Sequence, residues 1–202
     1  MTPSRSTADR RHDVVVAGHR GDRAAAAAAL DDSDPSVREV ALGAVIRIDG
    51  ATPEVLARMA HDPDVEVRCR VAEATAQLPH DVTVDILTGL LHDDEPAVVE
   101  VAAWCAGEHE VVTDAVLQRL IELATGHDDA LVRESAAAAL GAIGDTRGLP
   151  AILTACGDKP AVRRRAVLAL APFDGPDVEA AIDAALSDRD WQVRQSAEDL
   201  RR

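Results

Sequence analysis

The sequence has almost no aromatic residues: its 202 residues include no tyrosine, one phenylalanine and two tryptophans. Alanine, valine and leucine must therefore fill the interior, and small side chains of this kind favour close approach between helices. Cysteine is also rare. Cys69, Cys105 and Cys156 are far apart and form no CxxC pair, so the sequence indicates neither a disulfide framework nor a cysteine zinc site. Scattered thiols fit a reducing compartment.

Positive charge is scarce as well. Lysine and arginine together number 21 against 36 acidic residues, which gives a formal net charge of −15. A chain of this charge is not built to neutralise phosphates, so we expect no nucleic-acid partner and no docking on an anionic membrane. A partner protein with a basic patch is the more natural complement.

Long apolar stretches are absent too. The longest runs, "AAAAAAL" and "SAAAALGAIG", are too short to cross a bilayer. The N-terminus "MTPSRSTADRRHD" contains arginines but no apolar core of a secretory signal. The expected location is the cytosol.

What the sequence does contain is a repeat. Six segments align on one valine, at intervals of 30, 31, 34, 30 and 31 residues. The aligned valines are Val37, Val67, Val98, Val132, Val162 and Val193. The valine and the positions four, seven and eight residues later form a stripe that is apolar in nearly every segment. This spacing predicts an α-helix, here called helix B.

Polar residues at two other positions mark helix B. Three residues before the valine stand Asp34, Asp64, Glu95, Asp129, Lys159 and Asp190. An acidic side chain there can cap the free amides at the helix start. Directly after the valine stand Arg38, Arg68, Val99, Arg133, Arg163 and Arg194. The acid and the arginine are four residues apart, a spacing that lets them meet on one helix face.

A second helix, helix A, precedes helix B in each repeat. The predicted A helices cover residues 22–30, 52–59, 82–91, 113–124, 149–155 and 176–186. The stretch "DVVVAGHRGD" before them is typical of the end of a helix B, and so predicts an N-terminal half-repeat that acts as a cap. We expect residues 1–7 to be a disordered N-terminus and residues 8–202 to form a single repeat domain.

The Asp-Pro-x-Val-Arg-x-x-Ala pattern, with "ALGAIGD" closing the fourth copy, resembles HEAT repeats. More narrowly it resembles the short HEAT-like class first associated with phycobiliprotein lyase subunits. The resemblance covers about residues 22–202. It implies an all-α fold, a right-handed α-solenoid of about six helical hairpins, in which the Asp and Arg columns form a hydrogen-bonded ladder between repeats. Val99 and Lys159 depart from the pattern, so we expect the ladder to break in the third repeat and to weaken in the fifth.

The residues that suggest chemistry are few. His61 and His92 share one loop position and His127 is one step away, but capping explains the carboxylates beside them. The HEAT-like deoxyhypusine hydroxylases use several His-Glu pairs to hold iron, whereas this chain has one such pair, His109-Glu110. No phosphate-binding loop or nucleophile motif occurs. We therefore expect no catalytic residue, no cofactor and no metal. A bilin lyase-like or metal-dependent HEAT-like enzyme, or a subunit of one, stays as the alternative that the resemblance implies.

A partner surface is predicted on helix B. The position two residues after the valine lies opposite the core stripe and holds Glu39, Cys69, Glu100, Glu134, Arg164 and Gln195. The glutamates predict an acidic ridge that becomes basic near Arg164, although a simple solvated helix face has the same composition. Trp104 lies on the flank of its helix, where it is either an exposed interface anchor or packed on the next repeat. We expect a monomeric scaffold or regulatory adaptor that binds a protein along the concave helix-B face.

Overall fold

The predicted helical hairpins are present in a computed structural model that describes residues 5–202, apart from the side chains of residues 80 and 81. No strand occurs among these residues. The first helix is α1 (Thr7–Arg20). The A helices are α2 (Arg23–Ala28), α4 (Pro53–Met59), α6 (His80–Leu90), α8 (Asp114–Gly126), α10 (Leu149–Ala155) and α12 (Pro176–Ala185). The B helices are α3 (Pro35–Arg47), α5 (Val65–Thr75), α7 (Pro96–Ala106), α9 (Ala130–Ile143), α11 (Pro160–Ala169) and α13 (Trp191–Leu200).

The N-terminal half-repeat is α1, which packs against α3 as a preceding helix B would. A capping box fixes its start: the Ser6 hydroxyl accepts from the Asp9 amide (3.2 Å), and the Asp9 carboxylate accepts from the Ser6 amide (3.3 Å). Because of this cap the helix begins at Thr7, inside the segment predicted to be disordered. Residues 1–4 of that segment lie outside the described part of the chain.

Two compact units make up the chain, one ending at Ile86 and the other beginning at Leu87, so their boundary falls within α6. In the first unit, α1, α3 and α5 pack side by side, with α2 and α4 against them. In the second unit, α7, α9, α11 and α13 form one layer, and α8, α10 and α12 form the other. Each unit is therefore a double layer of stacked hairpins, the α-solenoid arrangement. That residues 8–202 form a single domain stays a prediction.

The apolar stripe of helix B forms the core. All six aligned valines are at most 1% exposed, and burial of each contributes about 1.5–3 kcal/mol. The small residues of the stripe let neighbouring helices touch through their backbones. A Cβ added at Gly141 of α9 would lie only 2.6 Å from the Cα of Ala169 in α11. The small side chains therefore allow the close approach between helices that the sequence predicts.

The predicted aspartate caps are confirmed. The carboxylates of Asp34, Asp64, Asp129 and Asp190 each accept a hydrogen bond from the backbone amide two residues later, at 3.0, 3.1, 2.8 and 2.8 Å. Such a cap typically contributes about 1 kcal/mol. Glu95 and Lys159 occupy the same position without a capping bond from their side chains.

The arginine after the valine corrects one prediction. The side chains of Arg38, Arg133 and Arg163 extend to the following repeat, and neither Arg38 nor Arg133 pairs with the capping aspartate of its own helix. Arg38 donates through Nε and Nη2 to Asp62 at 2.7 and 2.6 Å, and Arg163 donates in the same way to Asp188 at 2.9 and 2.7 Å. The same pairing joins Arg10 to Asp32 and Arg133 to Asp158. The capping carboxylates are directed at helix amides, so a second acid column, four or five residues before the valine, supplies the partners. We call each such Arg–Asp pair a rung.

The arginine of a rung also donates a hydrogen bond to the backbone of the A–B loop in its own repeat. Nη1 of Arg38 donates to the backbone oxygen of Asp32 in its own repeat (3.0 Å), and Nη1 of Arg163 donates to the backbone oxygen of Asp158 (2.8 Å). The hydrogen bonds from Arg163 lower the pKa of Asp188, against the opposing effect of burial. One guanidinium therefore joins two consecutive A–B loops, which accounts for the ladder that the resemblance implied.

One rung is absent within the second unit, and both of its members differ. Val99 stands where other repeats carry the arginine, and His127 stands five residues before the valine of the following repeat, where Asp62 and Asp188 stand in theirs. Val99 is buried, and His127 Nδ1 accepts from the Asp129 amide (3.1 Å), as an aspartate does elsewhere. An open hollow of about 530 Å³ lies here, lined in part by Pro96 and His127. The expected break at Val99 is thus present, whereas the rung persists beside Lys159 because Asp158 supplies its acid.

Candidate partner-binding surface

The three predicted glutamates of the ridge line grooves between neighbouring B helices. Glu39, Glu100, Glu134 and Arg164 are all half-buried, and Gln195 is exposed. A position two residues after the valine therefore faces the groove between one helix B and the next. The ridge is a set of groove walls and not a row of free side chains.

In the second unit one groove brings three of the predicted residues together. Glu100 and Trp104 of α7 face Glu134 of α9 across a groove of about 220 Å³. We call it the α7–α9 groove. Its remaining lining residues are Leu131, Ser135, Ala138 and Arg165.

The apolar part of the α7–α9 groove is open to solvent. Trp104 is 50% exposed and Leu131, at the start of α9, is 61% exposed. Trp104 therefore lies between the two predicted placements, since half of its surface is exposed and the other half is packed. A large aromatic side chain beside a second exposed apolar residue is typical of an interface anchor.

The polar part of the α7–α9 groove is unevenly balanced in charge. Glu134 lies 3.5 Å from Arg164 Nη2 and 3.7 Å from Arg165 Nε. Glu100 accepts a hydrogen bond from the Ser135 hydroxyl (3.0 Å), and no described arginine or lysine nitrogen lies within 4 Å of it. Glu100 is therefore the acid of this groove that can receive a cation from outside.

The other predicted residues lie elsewhere. Gln195 donates to Asp199 within its own helix (3.1 Å), and Arg164 is connected to the α7–α9 groove only through Glu134. Glu39 belongs to the first unit, where it lines a separate groove of about 160 Å³ formed by α1, α3 and α5. We call this second groove the α1–α3–α5 groove.

Four residues that line the α7–α9 groove were not among the predicted site residues, and Leu131 and Arg165 have the largest side chains of the four. Leu131 stands directly before its valine, where the other repeats have Ser36, Glu66, Ala97, Ala161 and Gln192. A large apolar side chain in that column is a signal that sequence comparison of the repeats could have found. Arg165 follows Arg163 and Arg164 directly, and nothing in the sequence shows which of these three arginines lie near Glu134.

His61, His92 and Cys156 have roles or surroundings that do not suggest metal binding or catalysis. His61 Nδ1 lies 2.8 Å from the backbone oxygen of Ala57, and His92 Nδ1 lies 2.9 Å from that of Thr88, so each binds the end of its own helix A. Among the described residues no group of three or more His, Cys, Asp and Glu is placed to hold a metal ion. Burial raises the pKa of the Cys156 thiol to about 11, which disfavours a thiolate nucleophile at neutral pH.

Within residues 5–202, none of the helices combines the length and the apolar character needed to cross a membrane.

Comparison with solved structures shows the same architecture. An engineered protein superposes with a TM-score of 0.61 at 21% identity, covering 92% of this chain and 94% of its own. YibA of E. coli superposes with a TM-score of 0.66 at 16% identity, covering 98% of this chain and 75% of its own. A designed armadillo repeat protein gives a TM-score of 0.57 at 15% identity, covering 91% of this chain and 97% of its own. At these identities the similarity shows the fold alone.

Comparison with sequences is more specific. No curated protein shows significant similarity to the chain. The family model for HEAT repeats matches three overlapping segments, residues 23–107, 52–141 and 95–161, which together span more than half of the chain. The repeat period, the stacked hairpins and these matches agree, and the chain belongs to the HEAT-repeat family.

Proposed function

We propose that this HEAT-repeat chain is a protein-interaction scaffold or regulatory adaptor, and that the α7–α9 groove anchors its partner. The observation that carries the proposal is the pair of exposed apolar residues, Trp104 and Leu131, beside the half-buried acid Glu100. Proteins of this fold typically bind other proteins along extended helix surfaces. That expectation rests on the fold, whereas the groove adds a particular place on this chain.

The groove also defines the chemistry of the partner. An apolar side chain fits against Trp104 and Leu131, and an arginine or lysine beside it pairs with Glu100. Glu134 attracts such a cation less strongly, because Arg164 and Arg165 already lie within 4 Å of it. The net charge of −15 favours rapid encounter with a basic partner, and this effect weakens as salt screens it.

The size of the groove makes it an anchor and not the whole interface. A stable protein–protein interface buries about 800 Å² on each partner, over about 20–30 residues. A groove of about 220 Å³ holds one or two side chains. The remaining area comes from neighbouring B helices, where Leu168 of α11 is another exposed apolar residue.

Selection of displayed peptides on the full chain tests the proposal. We expect enriched sequences to place an apolar residue next to arginine or lysine. Trp104→Ala should weaken their binding by at least about tenfold, because exposed aromatic anchors typically contribute 2 kcal/mol or more. Trp191→Ala is the matched control: this tryptophan is 65% exposed, begins α13 and does not line the groove.

A charge substitution tests the second part of the proposal. Glu100→Lys should slow association with the selected peptides and reduce its salt dependence, because it removes the acid that receives the cation. Glu66→Lys, on the exposed start of α5, changes the net charge equally and should leave association nearly unchanged. Enrichment of acidic peptides, or binding that survives both Trp104→Ala and Glu100→Lys, would contradict the proposal.

The enzymatic alternative has its own test. Elemental analysis and a visible absorption spectrum of the purified protein would reveal stoichiometric iron or a bound chromophore, and either would overturn the scaffold proposal. A monomeric state and a cytosolic location also belong to the proposal. They are supported by the acidic composition and the scattered cysteines.

A further inference from the structure

Three basic residues line the α1–α3–α5 groove of the first unit. His19 comes from the last turn of α1, Arg47 from the last turn of α3, and Arg70 from the middle of α5. Val15 and Val40 supply apolar walls to the same groove. In a chain whose net charge is −15, a small groove lined by two arginines and a histidine is unusual.

Arg70 has unused hydrogen-bonding capacity in this groove. Its Nη1 donates to Glu73 of its own helix (2.6 Å), but its buried Nε has no hydrogen-bond partner among the described residues. The guanidinium can lie against α3 because residue 43 is glycine: a Cβ there would be 3.0 Å from Arg70 Nη2. An unpaired buried donor typically costs about 1–3 kcal/mol. Because this Nε has almost no exposed surface, an acceptor in the groove removes the cost only when the Arg70 side chain turns away from α3.

The rest of the molecule shows which group the Nε and Nη2 edge of an arginine takes here. Arg10, Arg38, Arg133 and Arg163 each direct this edge at the two oxygens of one aspartate. In Arg70 the partner Glu73 occupies only Nη1, and the Nε and Nη2 edge lies against Gly43 of α3. This edge becomes available to a ligand when the side chain turns away from α3. A planar carboxylate is the natural occupant of such an edge, since two parallel hydrogen bonds match its geometry.

The neighbouring charges favour a singly charged ligand. Glu39 also lines the groove, and no described arginine nitrogen lies within 4 Å of its carboxylate. Its charge opposes a dianion such as phosphate more strongly than a carboxylate. Val15 and Val40 can contact an aliphatic chain that carries the carboxylate.

We propose that the α1–α3–α5 groove is a carboxylate-binding site, in which Arg70 and Arg47 hold the carboxylate and the valines contact its aliphatic chain. The carboxylate comes from an acidic peptide side chain or from a free aliphatic acid. This site is independent of the α7–α9 groove: it lies in the other unit, and it takes a ligand of the opposite charge.

NMR of the arginine side chains in the full chain tests the site. The Nε–H signals are followed during titration with glutarate, with an acetylated and amidated pentaglutamate peptide, and with inorganic phosphate, all at constant ionic strength with chloride. We expect the Arg70 signal to shift and saturate with glutarate, with the peptide or with both. Binding of glutarate identifies a free acid as a sufficient ligand, whereas binding of the peptide alone identifies an acidic segment.

Substitutions decide whether the arginines act as proposed. Arg70→Gln should lower the affinity for the bound carboxylate at least about tenfold, because it removes charge-assisted hydrogen bonds. Arg58→Gln is the control, since Arg58 belongs to the same unit, pairs with Asp31 and does not line the groove. Its affinity should stay within about twofold of the unchanged protein.

Several outcomes would overturn the site. They are the absence of a saturable shift of the Arg70 signal, binding of phosphate without binding of either carboxylate, and an equal loss of affinity in Arg58→Gln. If Arg70→Gln fails to fold by circular dichroism, Arg47→Gln decides, because Arg47 is exposed and its loss does not disturb the core. An unchanged affinity in Arg47→Gln would then contradict the proposal. Failure at this site leaves the test of the α7–α9 groove unaffected.

Discussion

The rung between Arg163 and Asp188 should be a major source of stability in the second unit. Its two side chains are only 8% and 15% exposed, and two hydrogen bonds of 2.9 and 2.7 Å join them. A third bond, from Nη1 to the backbone oxygen of Asp158, measures 2.8 Å. Arg163→Met retains an unbranched aliphatic stem and removes the guanidinium group, and with it the three hydrogen-bond donors.

The expected cost follows from what remains after the substitution. Removing one partner of a buried ion pair typically costs about 3–5 kcal/mol, because the other charge is left uncompensated. Asp188 keeps a hydrogen bond from the Asp190 amide (2.8 Å) and its slight exposure, which moves the estimate to the lower end of that range. We expect a loss of about 3 kcal/mol, or roughly a hundredfold change in the unfolding equilibrium.

Tryptophan fluorescence during urea unfolding measures this loss. Both tryptophans, Trp104 and Trp191, belong to the second unit, so their signal follows that unit even if the two units unfold separately. A double-mutant cycle with Asp188→Asn isolates the pair itself, for which we expect a coupling of about 1–3 kcal/mol.

Arg147→Met is the matched control for this measurement. Arg147 also pairs with aspartates in the second unit, but its side chain is 58% exposed. Exposed pairs contribute about 0–1 kcal/mol. A loss of less than about 1 kcal/mol in Arg163→Met, or an equal loss in Arg147→Met, would refute the view that the rungs hold successive repeats together.

Three further predictions concern packing, the absent rung and pH. Gly141→Ala should destabilise the second unit by about 1–3 kcal/mol in urea unfolding, because the added Cβ meets the backbone of α11, whereas Gly89→Ala, with open space around it, should be neutral or stabilising. Val99→Arg alone should destabilise the second unit, because it buries an unpaired charge. Adding His127→Asp should recover most of the lost stability by completing a rung, whereas additive losses of the two substitutions in thermal unfolding would argue against this. The pKa of Asp188 is lowered in the folded state, so its contribution to stability is complete above the unfolded pKa of about 4 and is lost as pH falls from there through the folded pKa. In Asp188→Asn the free energy of unfolding should therefore depend less steeply on pH in the acid range, measured by circular dichroism.

Much of the fold could be predicted because its signals are local. The aligned valines, the small residues of helix B and the capping aspartates each act within one helix or one loop, and the structure confirms them. The A helices were predicted at positions close to those observed, since each has its own apolar spacing and turn residues. Helix α1 begins at Thr7 because the capping box of Ser6 and Asp9 fixes its start.

The candidate site was predicted less completely. Of the residues two positions after the valine, the α7–α9 groove brings together only Glu100 and Glu134. Trp104, from a different position of the repeat, lines the same groove. Leu131 and Arg165 join them from positions that follow no single repeat rule. Which side chains share a groove depends on the offset between neighbouring helices, and that offset is not written in the spacing of one repeat.

The sequence by itself determined the period of the repeat, the face of helix B that is buried and the residues that begin each helix, because these depend on neighbours within a few positions of one another. Only the tertiary structure decided which aspartate each arginine binds, since the partners are 22 to 25 residues apart. It also showed that Val99 and His127 are the two ends of one absent rung. Such pairs form only when one hairpin stacks on the next, and the same stacking places Trp104 half in solvent and Arg70 against Gly43.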